Sequence, residues 1–415
     1  MRNFCAFLIS FFLTLLAFSN GVVSELRKID PYLSSNPDTA IHLSKKLLEA
    51  STESSNYFGM VKANLYLGFL NEKSDPGKAV LYYLEGIRHA ESAPLDSVKS
   101  DMIWLRRNLA NIFRRYESNN LATEYNLQGL GLADLYGISH QIIDLKFNQA
   151  LVYQNNEEYD LAISYLESIL PEVDNVVFRS RIINQIGVNF RSKEDYETSS
   201  QYYNQLLSLP EEARHLSSRA HHNLGEIAYE LGDRASAIEH LKSAISILNE
   251  IGAPEKHNYY LFIAYRNIGG YLLEGGETEQ ALSYLHEGEG IASYADHDPS
   301  SFELYKNLSS AYFNIGNNKL GNHYSQVYFE KAQGFIDLQK EIQQKDKEYN
   351  FELITKRYFD NVEKQDHMAT IMMYSKISSG GLILLLILVI SYYQMEKRRL
   401  RNSIEQELKT LKVLK

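Results

Sequence analysis

The sequence is poor in several residue types that usually announce a function. It has one cysteine in 415 residues. No intramolecular disulfide can form, and a cysteine-based metal cluster is excluded. Proline occurs eight times, too rarely for a collagen-like fibre. Lys and Arg number 42 against 52 Asp and Glu, a net charge of -10. A general nucleic-acid binder needs a basic face, so nucleic acid is not an expected partner. One tryptophan stands beside thirty tyrosines, an imbalance that needs a source. What is present is globular: 44% of residues are hydrophobic and 23% charged, which excludes a disordered chain. The length leaves room for two or three ordinary domains.

Catalytic signatures are missing too. There is no phosphate-cradling glycine loop ending in Lys-Ser/Thr, no His-Glu-x-x-His and no Gly-x-Ser-x-Gly. Gly129-Leu130-Gly131 lacks a third glycine and a preceding strand. His221 and His222 are adjacent, and neighbours on a helix point about 100° apart, so they cannot both face one metal. Asp296-His297-Asp298-Pro299 lacks the glycine and the terminal glutamate of a calcium loop and reads as a linker. No catalytic residue, metal site or cofactor is expected, and the chain reads as a non-enzyme.

Two apolar segments set the topology. Met1-Arg2-Asn3 precedes an uncharged run from Phe4 to Phe18, followed by small residues at Ala17-Phe18-Ser19 and Val22-Val23-Ser24. This is the layout of a secretory signal peptide over 1–24; an uncleaved anchor is the alternative. Cys5 lies at the start of the run, the wrong place for an acylated cysteine. Near the other end, the 19 residues between Lys376 and Glu396 carry no charge. At about 1.5 Å per residue they match a hydrocarbon core, giving an expected transmembrane helix over 373–395. The following tail, 396–415, holds seven basic and three acidic residues. The positive-inside rule therefore places it in the cytoplasm. Residues 20–395 carry -15. The expected localisation is a single-pass bacterial cytoplasmic-membrane protein with its large N-terminal portion periplasmic and one helix in the lipid bilayer.

The middle repeats itself. Asn223-Leu224-Gly225 is followed by Tyr229, Gly232-Asp233, Ala237 and Ala244. The layout recurs at Asn267-Ile268-Gly269 with Gly275-Gly276-Glu277 and Ala281, and at Asn184-Gln185-Ile186-Gly187 with Asp195-Tyr196. Further copies lie at Asn148-Gln149-Ala150, Asn108-Leu109-Ala110 and Asn307-Leu308-Ser309. Small residues let paired helices pack closely, and the Gly-Asp step turns between them.

These motifs resemble the tetratricopeptide repeat. The aligned small residues Ala110, Ala150, Gly187, Gly225, Gly269 and Ser309 are spaced 40, 37, 38, 44 and 40 apart, longer than the usual period of about 34. Leu67-Gly68 with Asp75-Pro76-Gly77, and Thr39-Ala40-Ile41, are weaker copies. The resemblance implies an all-α solenoid of helix hairpins over 25–325, with six clear repeats and up to eight. It also accounts for the tyrosines as inter-helix packing. Residues 335–379 contain neither Gly nor Pro and carry an apolar stripe through Phe335, Leu338, Ile342 and Tyr349. A long stalk helix is expected over 326–372. It is either a solitary solvated helix or one strand of a homodimeric coiled coil.

In such arrays, first-helix positions 2, 5, 9 and 12 line the concave face. The resemblance places there Trp104, Arg107, Asn111 and Arg114; Phe147; Arg181, Asn184 and Arg191; Arg219, His222 and Glu226; Arg266; and Lys306. A run of basic residues on one face is not expected in a segment of charge -15. One sub-family holds C-terminal carboxylates with basic and Asn residues of three successive repeats, and Arg107, Asn111, Asn148 and Arg181 fall near those positions. Arg replaces Lys, and Gln185 stands where a basic residue is usual. Guanidinium forks suit carboxylates. The expected partner is a protein or peptide with acidic or C-terminal carboxylate groups; ion pairs within the array are the alternative.

The whole layout is similar to the sensory halves of bacterial envelope receptors. The tail is too short to build an output domain. Two readings follow: a membrane-anchored sensory or scaffolding module without catalysis, or the input half of a truncated or split diguanylate cyclase or histidine kinase.

Overall fold

The computed structural model describes residues 22–252, 257–295, 298–375, 390–403 and 405. Most of the expected signal peptide lies outside the described residues, as does 376–389 of the expected span. Among the described residues there is no strand, and no helix is long and apolar enough to cross a membrane.

The chain is an array of antiparallel helix hairpins. After α1 (22–29) and a single turn α2 (Tyr32–Ser35) come α3 (Pro37–Glu53), α4 (Tyr57–Asn71), α5 (Pro76–Ala90), α6 (Leu95–Arg115) and α7 (Asn119–Leu135). Then follow α8 (Ser139–Asn155), α9 (Tyr159–Ile169), α10 (Val176–Ser192), α11 (Tyr196–Asn204) and α12 (Arg214–Glu230). The series closes with α13 (Arg234–Glu250), α14 (Asn258–Glu274), α15 (Thr278–Gly290), α16 (Ser300–Asn314) and α17 (Asn318–Ser375). The even-numbered helices α4 to α16 each begin a hairpin, so α4/α5 forms despite its altered turn.

Local chemistry sets these boundaries. Asp233 caps α13 by accepting from the Ser236 amide at 3.0 Å, and Asp195 and Asn56 cap α11 and α4 in the same way. The residue before the cap takes a left-handed conformation. Gly232, Gly276 and Gly316 supply it at no steric cost, but Glu117, Glu157 and Glu194 occupy the same turn in three other hairpins.

Close packing explains the small residue in the first helix of each pair. A Cβ on Gly187 would stand 2.6 Å from the Tyr203 ring, and one on Gly68 2.3 Å from Tyr83. Both tyrosines are fully buried. The tyrosine-rich composition is thus spent largely on packing between helices and between hairpins: Tyr229 stacks on Tyr271 of the next hairpin with centroids 4.0 Å apart.

The direction of curvature follows from which helices meet. First helices of successive hairpins touch, as α4–α6, α6–α8, α10–α12 and α14–α16 do, while the second helices form no comparable series. First helices therefore form the inner layer. Residues up to Lys340 belong to this array, and a second unit begins at Glu341. α17 passes through the expected 325/326 boundary without a break, so the last repeat and the stalk share one helix. In the second unit, residues 390–403 are helical, with Arg401 paired to Glu405 one turn on at 3.0 Å.

Candidate functional site: an arginine-lined inner face

The inner face is built from α6, α8, α10, α12 and α14. Its arginines separate into two groups. Arg191 forms an ion pair with Glu226 and lies 3.7 Å from Glu230, both on the next first helix. Burial alone would lower the Arg191 pKa, but these carboxylates raise it overall. Arg266 is 3.3 Å from Glu303 and donates to Asn267 Oδ1 at 2.7 Å. These two expected ligand residues are neutralised inside the array. For them the ion-pair alternative holds.

Arg107, Arg114, Arg181 and Arg219 differ. None has a carboxylate at ion-pair distance among the described residues. Each of three lies on an aromatic ring: Arg107 at 4.7 Å from the Trp104 centroid, Arg181 at 5.2 Å from Phe147, and Arg219 at 5.1 Å from Tyr260. Burial lowers the pKa of Arg181, and the charges of Arg219 and Arg107 lower it further. The three are therefore one electrostatic cluster. Burial and Arg115 bring Arg114 down to about 10. Asp144 lies within electrostatic reach of Arg107 and Arg181 and offsets part of this charge.

Asparagines run beside the arginines in a ladder. Asn223 Nδ2 donates to Asn184 Oδ1 at 2.9 Å, and Asn267 Nδ2 to His222 Nε2 at 3.0 Å. Each bond links a repeat-position-6 residue to position 5 of the hairpin before it. In that register Asn148 looks back to Arg107, which offers donors only. Asn148 Nδ2, Arg107 Nε, Arg114 Nε and Asn184 Nδ2 are buried and have no hydrogen-bond partner among the described residues. Four donors on three adjacent first helices lack acceptors, and an anionic oxygen would satisfy them.

The remaining expected residues have local roles. His222 accepts from Asn267 and lies 3.9 Å from Glu226. Burial lowers its pKa. Asn111 is half-buried one turn after Arg107 on α6. His221 faces away from His222 and meets His240, Nδ1 to Nδ1 at 3.2 Å. Among the described residues no group of three potential metal ligands occurs.

The model of the tetratricopeptide repeat family matches residues 178–250.

No curated protein matches the chain. Solved structures do. The apo form of RapI is 12% identical over 66% of this chain and 98% of that one, with a TM-score of 0.54. A Rap protein complexed with Competence and Sporulation Factor is 13% identical over 83% of this chain and 98% of that one, at 0.51. A tetratricopeptide repeat protein from Parabacteroides merdae is 15% identical over 66% and 93%, at 0.47. At these identities the likeness to the first two establishes the fold alone, an all-α tetratricopeptide-like solenoid.

The tetratricopeptide register implied the inner-face positions of these arginines. It also placed Asp144 at position 2 of α8, a residue that the search for basic side chains passed over. Tyr260 precedes the repeat frame of α14 and carried no signal; it is brought under Arg219 by the packing of α12 on α14.

Proposed function

We propose that this protein is a non-catalytic tetratricopeptide module whose inner face holds a protein or peptide segment by its carboxylate groups. The observation that carries the reading is the set of unpaired donors around Arg107, Asn148 and Arg181. The array already pairs Arg191 and Arg266 with its own carboxylates, so leaving Arg107, Arg114, Arg181 and Arg219 without one marks a site rather than a general excess of base. Arg107 and Asn111 on α6, Asn148 on α8 and Arg181 on α10 supply donors from three successive first helices, as a terminal carboxylate needs.

We place the module outside the cytoplasm. The N-terminal apolar run would export it, the 373–395 segment would anchor it in the cytoplasmic membrane, and the basic tail would remain inside. α17 would then link the array to the span and, if its stripe pairs, to a second copy. The role that follows is sensory or scaffolding.

The test is capture from membranes with the extracytoplasmic portion as bait. Double charge reversal, Arg107→Glu with Arg181→Glu, is expected to remove the partners that the natural sequence retains. An unchanged set of partners removes the groove from the explanation. Fusing a reporter after Lys415 and finding it periplasmic would overturn the topology.

A further inference from the structure

Beside the arginine cluster, α12, α13 and α14 enclose a cleft of about 180 Å³. Leu248 of α13 and Ile263 of α14 line it, with Tyr259 and Tyr260 along one wall and Arg219 and His222 along the other. Four of its six polar side chains are already engaged. Tyr259 OH donates to Asp298 at 2.9 Å. His222 Nε2 accepts from Asn267 at 3.0 Å. Asn223 Nδ2 donates to Asn184 at 2.9 Å, and Ser218 Oγ to His215 O at 2.7 Å. Arg219 and the Tyr260 hydroxyl are the exceptions: Arg219 lies over the Tyr260 ring with no carboxylate at ion-pair distance among the described residues.

A cleft whose polar lining is mostly satisfied, with its open polar groups at the Arg219–Tyr260 edge, gains most from apolar surface between Leu248 and Ile263. The cleft adjoins the carboxylate site: Asn223, in its lining, donates to Asn184, whose own Nδ2 is one of the unsatisfied donors of that site. From this we infer that the α12–α14 cleft is a specificity pocket for an apolar ligand side chain of leucine size or larger, on a peptide whose carboxylate rests on the neighbouring arginines. The inference rests on the carboxylate reading proposed above and adds the side chain that the ligand must carry. Arg219 serves both halves: its guanidinium meets the anionic backbone end, while its aliphatic stem and the Tyr260 ring cover the apolar group.

A position-scanning set of fluorescein-labelled pentapeptides tests this on the full-length protein in detergent. Each position in turn carries Leu, Phe or Ala in a glycine–serine background, as free acid or C-terminal amide. Fluorescence anisotropy is expected to show, at one position, at least about tenfold tighter binding for Leu or Phe than for Ala. Ile263→Trp, which fills the cleft, is expected to abolish that preference while leaving the Ala peptide's affinity unchanged. Tyr260→Ala, which opens the wall without adding bulk, is expected to weaken the Leu peptide selectively. Free acids that bind equally well with Leu and Ala at every position overturn the pocket and leave the carboxylate site standing. So does a preference that survives Ile263→Trp. Amides that bind as well as acids, or the absence of any binding, overturn the carboxylate reading itself and the pocket with it.

Discussion

The Phe335 ring stacks on the Tyr116 ring with centroids 5.5 Å apart, although the two residues are separated by most of the array. Both are buried. Phe302 of α16 meets Phe335 edge-on at 5.7 Å, and Gln339 Nε2 donates to the Tyr116 carbonyl at 2.8 Å. Repeat arrays normally make contacts only between neighbours. Here the second complete hairpin touches the last, so the array returns on itself. Phe335→Ala is expected to cost roughly 3 kcal/mol in urea denaturation. A double-mutant cycle with Tyr116→Ala should give a coupling of about 1 kcal/mol. Strict additivity would show that the contact stores no energy.

Two glycine substitutions should act with opposite sign. Gly187→Ala drives a Cβ to within 2.6 Å of the Tyr203 ring and is expected to destabilise by about 1–3 kcal/mol. Gly131 lies within α7 with nothing inside 4 Å of an added Cβ. Alanine there should stabilise by up to about 1 kcal/mol through helix propensity. Thermal melts of the two variants against the natural sequence provide the comparison.

The left-handed turn residues offer an independent check. Glu194 holds a φ of 62° where Gly232 holds 84°. Glu194→Gly relieves a steric cost of about 1 kcal/mol and gives some of it back as chain entropy. Gly232→Ala incurs the same steric cost and recovers only part of it through the stiffer unfolded chain, so its melting temperature should fall while that of Glu194→Gly does not.

The arginines should divide by measurement as they divide by geometry. Arg191→Ala leaves Glu226 without its ion-pair partner and is expected to lose roughly 1–3 kcal/mol of stability. Arg181→Gln removes a charge that Arg107 and Arg219 repel. Its stability should hold or rise, while partner capture falls. Equal loss of stability in both variants would place Arg181 among the structural residues.

Acid should weaken the array through His222. Burial holds its folded pKa below the ordinary 6.5. The unfolded chain therefore takes up the proton first, and stability is full above about pH 6.5 and declines as pH falls toward the folded pKa. Glu226, Arg191 and Arg266 surround the ring, and the two arginines reinforce the depression while Glu226 opposes it. His222→Gln should flatten the fall in urea midpoint between pH 7 and pH 5. A slope unchanged by the substitution would assign the acid sensitivity elsewhere.

Much of the repeat was legible because it is local. Gly187, Gly225 and Gly269 announce close helix pairing through spacing alone, and Asp233 and Asp195 announce the helix that each caps. The inner-face positions of Arg107, Arg181 and Arg219 are what the resemblance to tetratricopeptide arrays implies. The fate of each arginine is not. Arg191 and Arg181 occupy equivalent stripes of α10, yet one pairs with Glu226 while the other rests on the Phe147 ring with Arg219 and Arg107 as charged neighbours and Asp144 as a partial offset. That outcome depends on how far each hairpin rotates against the next.

By itself the sequence determined the all-α hairpin array, its turns and its inner-face stripe, because hydrogen bonding, capping and close packing within a hairpin act over a few residues. It also supplied the apolar ends on which the proposed topology rests. Only the tertiary structure decided which inner-face arginines lack a carboxylate, that Tyr260 closes a cleft beside Arg219, and that Phe335 reaches Tyr116. Each of these joins separate hairpins. Their geometry comes from accumulated inter-hairpin rotation, a quantity that no short stretch of sequence encodes.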